Sequence, residues 1–131
     1  GTTTAGVAEG GRAPSVTGAT EIWNGTNWSN GNSLSTARGD PSASQAASST
    51  TGIVFGGSPG PGASVLGVTE QYNGTNWTEI ADMSTARYRA MGGGEGTSAI
   101  CATGYSGTAR ITTTEEFTGA GASQTRTFTD S

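Results

Sequence analysis

Polar and apolar residues alternate along "TEIW", which begins at Thr20: Glu21 and Trp23 share one face of an extended segment, Thr20 and Ile22 the other. The alternation returns in "TEQY" from Thr69, with Glu70 beside Tyr72, and in "TEEF" from Thr114, with Glu115 beside Phe117. No stretch carries a sustained helical period. Short apolar runs ending in glycine lie between these segments: "TTAGVAEGG" (Thr3 to Gly11), "TGIVFGG" (Thr51 to Gly57) and "SAICATG" (Ser98 to Gly104). Asn24-Gly25 and Asn73-Gly74 predict tight reversals, because both residue types tolerate positive φ, and so predict hairpins from "TEIW" to "NWS" and from "TEQY" to "NWTEI".

The segments are parts of a repeat. "TEIWNGTNWS" from Thr20, "TEQYNGTNWT" from Thr69 and the worn "TEEFTGAGAS" from Thr114 are successive copies. "LSTAR" (Leu34 to Arg38) and "MSTAR" (Met83 to Arg87) follow the first two. Each unit offers four strand candidates, a pattern and length that fit propeller blades. The expectation is one all-β domain over 1–131, with units at 1–33 (partial), 34–82 and 83–131 and about eleven strands. The opening apolar strand places the start midway through a unit, and "TRTFTDS" (Thr125 to Ser131) remains to supply a last strand. The predicted core is Trp23, Trp28, Ile53, Phe55, Tyr72, Trp77, Ile100 and Phe117.

Composition narrows the picture. Only 31% of residues are hydrophobic and 12% are charged, which on its own fits a disordered linker. The regular aromatics, the repeat and the β-branched runs argue for a fold instead. All six basic residues are arginine, histidine is absent and the net charge is −4. That balance lacks the basic face a nucleic acid needs. No apolar run is long enough to span a bilayer as a helix, and no signal-peptide pattern opens the chain.

Missing histidine also removes a Ser-His-Asp triad and histidine-bound metal. Cys101, the one cysteine, reads as a small buried hydrophobe without a base beside it. "MGGGEG" (Met91 to Gly96) lacks the lysine of a phosphate-binding loop and reads as a closely packed or flexible strand. Asp40, Asp82 and Asp130 sit in no calcium-loop spacing. No cofactor or metal is expected. The sequons at Asn24, Asn27, Asn73 and Asn76 are explained by the hairpins.

Gly56-Gly57, Tyr72 and Trp77, with Gly10-Gly11, Trp23 and Trp28 one unit earlier, resemble the double glycine, aromatic and tryptophan of the kelch repeat. The "STAR" segments resemble that family's Pro/Thr-Arg stretch. The third unit departs from it, with Thr103-Gly104 for the double glycine and no tryptophan after Phe117. The Thr-rich wording is also similar to kelch-type repeats in structural or fibre-like proteins of marine bacteriophages. These resemblances imply a non-enzymatic structural or interaction module in a virion, as capsid decoration or tail fibre, that contacts other structural proteins, copies of itself or host surface glycans. A glycan-active enzyme on a propeller scaffold and a eukaryotic-type kelch adaptor are the alternatives, with a secreted or cytoplasmic location.

A group that recurs once per unit reads as structural. Glu21, Glu70 and Glu115 with Arg38 and Arg87 are expected to form Glu–Arg pairs, and Trp28 and Trp77 to pack between blades. Tyr88, Arg89 and Tyr105 have no counterparts in the other copies and are the candidate ligand or partner contacts. Three blades are too few for a closed ring, so a fragment of a longer propeller or one part of an assembly is expected.

Overall fold

The structure is a computed structural model that describes residues 1–46, 48–60 and 64–118, and residues 124–126 as backbone. Eleven strands and no helix occur among the described residues, so the all-β expectation is met. The first sheet runs β1 (Gly6–Glu9), β2 (Thr20–Trp23), β3 (Trp28–Gly31). The second runs β4 (Ser42–Ala43), β5 (Gly52–Phe55), β6 (Thr69–Tyr72), β7 (Trp77–Ile80). The third runs β8 (Met91–Glu95), β9 (Ser98–Ala102), β10 (Thr114–Thr118), β11 (Gln124–Arg126). Each is an antiparallel meander, and equivalent strands keep one register: Ala8 faces Glu21, Val54 faces Glu70 and Cys101 faces Glu115. Of "TRTFTDS", Thr125 and Arg126 lie in β11, and 127–131 lie outside the described residues.

The hairpins form differently from a two-residue reversal. Residues 24–27 separate the paired Trp23 and Trp28. Within this loop only Gly25 takes positive φ (95°). Asn24 instead accepts, through Oδ1, the backbone N–H groups of Thr26 and Asn27, each at 2.9 Å. Asn73 does the same for Thr75 and Asn76. The asparagine therefore acts through its side chain, as an Asx turn, rather than through a left-handed backbone.

The middle sheet is covered on both faces. Every residue of β5 is buried, with Ile53 and Phe55 turned to the third sheet and Val54 to the first. Between the first and second sheets lie Leu34, Val54, Tyr72 and Trp77, with Val7 and Ile22. Between the second and third lie Ile53, Phe55, Met83, Ala99, Cys101 and Phe117, where the Phe55 and Phe117 rings meet at 4.8 Å. The sheets approach closely at Gly92, where any Cβ would stand 2.0 Å from the Ala43 carbonyl oxygen. This fits the packed-strand reading of "MGGGEG".

Three of the predicted core residues are not core. Trp28 is 54% exposed and Ile100 44%, while Trp23 is only half-buried. Both sheets concerned are end sheets with one face covered. In β9 the burial alternates, so Ala99 and Cys101 face inward and Ile100 outward. Period-two alternation assigns residues to faces but does not say which face has a neighbour.

Candidate functional site

Two kinds of polar cluster stand out, one written twice and one written once. The first is a latch across each sheet-to-sheet junction. The Leu34–Arg38 strap pairs its backbone with the first sheet's loop, Leu34 N–H donating to Gly18 and Arg38 N–H to Thr17. The Arg38 carbonyl accepts the Gly11 N–H on the same side, and Arg38 Nε donates back to the Thr36 carbonyl; the bonds that cross to the second sheet are these. Ser35 and Thr36 donate their N–H groups to the Glu70 carboxylate at 2.8 and 3.3 Å, and the Arg38 guanidinium forms an ion pair with it. Arg38 Nη1 also donates to the Gly56 and Val68 carbonyls at 3.0 and 2.8 Å.

The second junction repeats these bonds and adds one, from Arg87 Nη2 to Thr113 Oγ1 at 3.1 Å. Ser84 and Thr85 cap Glu115 at 2.6 and 3.2 Å, and Arg87 pairs with Glu115 at 2.8 Å. Arg87 Nη1 donates to the Thr103 and Thr113 carbonyls at 2.9 and 2.8 Å. All four charged side chains are fully buried. Burial pushes the Arg38 guanidinium below its ordinary pKa, and the Glu70 charge opposes that fall. A buried pair holds because charge-assisted hydrogen bonds satisfy most of each partner's capacity.

Glu21, the third carboxylate of the set, is different. It is exposed, and no arginine pairs with it among the described residues, so the expected Glu21 pair is corrected: no strap lies over the first sheet. Trp77 does pack between blades, donating Nε1–H to Thr20 Oγ1 at 2.9 Å. Its counterpart Trp28 does not, for the same want of a covering sheet.

The second cluster lies at a corner of the third sheet and gathers the three unrepeated residues. Tyr88 and Tyr105 pair through their backbones, and their rings meet edge to face at 5.6 Å. Arg89 lies 5.4 Å over the Tyr88 ring and 3.6 Å from Asp40. Arg110, bridged to Tyr105 through the backbone, completes an open groove of about 680 Å³ whose lining includes Ile111 and Thr112. One member of the cluster is not legible in the sequence: Arg110 sits in a featureless Thr/Gly stretch, and no other unit has an arginine at its place.

The sibling corner shows what changed. There Gly39 and Ser58 make the backbone bridge, Asp40 occupies the place of Arg89, and Val65 that of Arg110. Asp40 and Arg89 share a left-handed backbone, with φ of 50° and 53°. Thr103 (φ 61°) stands where the second unit has Gly56 (φ 54°). At Gly56 a Cβ would meet the Arg87 carbonyl at 2.2 Å. The scaffold of the corner is thus the same, and Gly, Asp, Ser, Val has become Tyr, Arg, Tyr, Arg. Two aromatic faces and two guanidinium groups in an open groove suit a ring-shaped polar ligand with acceptor oxygens.

Chemistry on bonds finds less to work with. Among the described residues that line this groove none is a carboxylate; Asp40 reaches only its Arg89, at 3.6 Å, and Glu70 and Glu115 are sealed in their latches. Cys101 is buried, and burial pushes its thiol up to about 12. Among the described residues no cluster of three metal-ligating side chains occurs, and no helix is long and apolar enough to cross a membrane.

No protein-family model and no curated protein sequence matches the chain. The solved structure of YjhT, a kelch-type β-propeller, does match by shape, with a TM-score of 0.71 over 94% of this chain. The fold is that of a kelch-like propeller. The chain spans 41% of YjhT's length, at 14% sequence identity. The likeness covers architecture alone: three blade-like sheets of a partial propeller.

Proposed function

We propose that the chain is a non-enzymatic structural and interaction module whose Tyr88–Arg89–Tyr105–Arg110 groove binds surface glycans. The observation that carries this reading is the converted corner. In place of the second unit's Gly, Asp, Ser and Val, one backbone scaffold carries Tyr, Arg, Tyr and Arg in the third unit, while the first unit has Arg12 and Val16 at the places of Tyr105 and Arg110. Repeated positions serve packing, whereas side chains displayed at blade-end loops are free to serve binding. Tyrosine rings give a flat apolar face for a sugar, and arginine forks give directional donors to its oxygens and to any carboxylate or sulfate it carries. Hydrolysis of a glycoside ordinarily needs two carboxylates flanking the bond, and the described residues that line the groove include none.

The finer placement, in a bacteriophage virion as capsid decoration or fibre beside other structural proteins or copies of itself, rests on the Thr-rich wording of the repeat. Its test is the presence of the chain in purified particles. For the groove, a panel of neutral and acidic oligosaccharides is titrated while product formation is followed. Saturable binding without turnover is the expected result. Turnover would support the enzyme alternative, and no binding by any member would remove the glycan reading.

A further inference from the structure

The exposed face of the first sheet carries an unfilled copy of the latch. Glu21 occupies the position that Glu70 and Glu115 hold in the other two sheets, and Trp28 the position of Trp77. Glu70 and Glu115 are 0% exposed and Trp77 8%, whereas Trp28 is 54% exposed and Glu21 also lies open. The local geometry is already set. The Trp23 and Trp28 rings stand 5.4 Å apart at 41°, against 5.0 Å and 35° for Tyr72 and Trp77 under cover. Trp23 is held in place by its Nε1–H bond to the Thr3 carbonyl at 3.0 Å.

We propose that this face is a receptor for the Ser-Thr-Ala-Arg strap of another repeat unit, beyond the two straps present here. The molecule shows twice what covers the equivalent carboxylate. Each time it is two consecutive backbone N–H groups, from Ser and Thr, and a guanidinium two residues on. A second copy of this chain is a poor occupant, because both of its straps are already spent on Glu70 and Glu115 and releasing one would bare a buried charge. The glycan groove plays no part in this inference, since it lies on the third sheet.

The probe is a capped peptide, Asn-Ser-Leu-Ser-Thr-Ala-Arg-Gly, copied from residues 32–39 and titrated into the labelled 131-residue chain by amide NMR. Saturable shifts are expected at Glu21, Ile22 and the Trp28 indole. They should weaken at least tenfold when the peptide's arginine is alanine, and likewise in the Glu21→Gln variant, whose position is exposed and whose fold the spectrum itself verifies. Lysine for arginine should also weaken binding, since an ammonium cannot reproduce the guanidinium's several directed donors. Absence of shifts at Glu21, equal binding by the alanine peptide, or indifference to Glu21→Gln would overturn the proposal. So would concentration-dependent dimerisation of the chain alone that buries Trp28, because the occupant would then be a second copy.

Discussion

The first and second sheets are built from nearly the same word, "TEIWNGTNW" and "TEQYNGTNW", yet the word does different work in each. In the second, Glu70 is sealed under a strap and Trp77 is 8% exposed; in the first, Glu21 lies open and Trp28 is 54% exposed. Strand pairing, Asx turn and aromatic pairing are alike in both. A repeated residue therefore has a fixed backbone place but no fixed energetic role. The role is conferred by the neighbouring unit that lies over it.

The comparison is most easily broken at the carboxylates. Arg38→Ala leaves the Glu70 charge buried and unpaired, and should cost about 3–5 kcal/mol by chemical or thermal unfolding. Glu21→Ala should stay within about 0.5 kcal/mol of the parent. Equal losses would mean that the strap is not what distinguishes the two sites. The tryptophans give the next contrast. Trp77→Ala should cost about 3 kcal/mol, and Trp28→Ala less than about 1 kcal/mol.

Acid and base titration probes the same junction from the first sheet's side. Glu9 ends β1 and lines a small cavity with Ile53 and Trp77. Burial raises its carboxyl from 4.5 to about 7, and the N-terminal ammonium opposes the rise. A raised folded value favours the protonated, folded form at low pH. Its contribution is complete below about pH 4.5 and is lost as pH rises through about 7. Unfolding free energy should fall by about 1–3 kcal/mol over that window, and Glu9→Gln should flatten this part of the profile. An unchanged slope in the variant would place the titration elsewhere.

The smallest contrast is a single hydroxyl. Thr20 Oγ1 accepts the Trp77 indole N–H, whereas its counterpart Thr69 is buried with no partner for Oγ1 among the described residues. The third copy of the word has no tryptophan to supply one. Thr20→Val should cost about 1 kcal/mol, and Thr69→Val should be neutral or stabilising, since an unsatisfied buried hydroxyl is itself a cost.

Much of this architecture is legible in the chain. Alternation around Glu21, Glu70 and Glu115 gives the strands, and recurrence singles out Arg38 and Arg87 as the partners for buried acids. Uniqueness singles out Tyr88, Arg89 and Tyr105. Burial is less legible, because it depends on which sheet face has a neighbour; Trp23, Trp28 and Ile100 lie on faces that have none. Arg110 is not legible, because its equivalence to Val65 shows only in the backbone bond from Ile111 to Gly104, which matches that from Leu66 to Gly57.

That repeated residues hold the fold while unrepeated ones bind is tested most directly by converting the third corner into its sibling. The triple variant Tyr88→Gly, Tyr105→Ser, Arg110→Val places three of the second unit's four residues on the same scaffold and keeps Arg89 with its Asp40 contact. Calorimetric titration with the tightest-binding oligosaccharide of the panel, beside a melting curve, reads both halves of the claim. The account predicts a cooperative melt close to the parent's and a loss of binding of at least tenfold. Binding undiminished in a folded triple variant would contradict it.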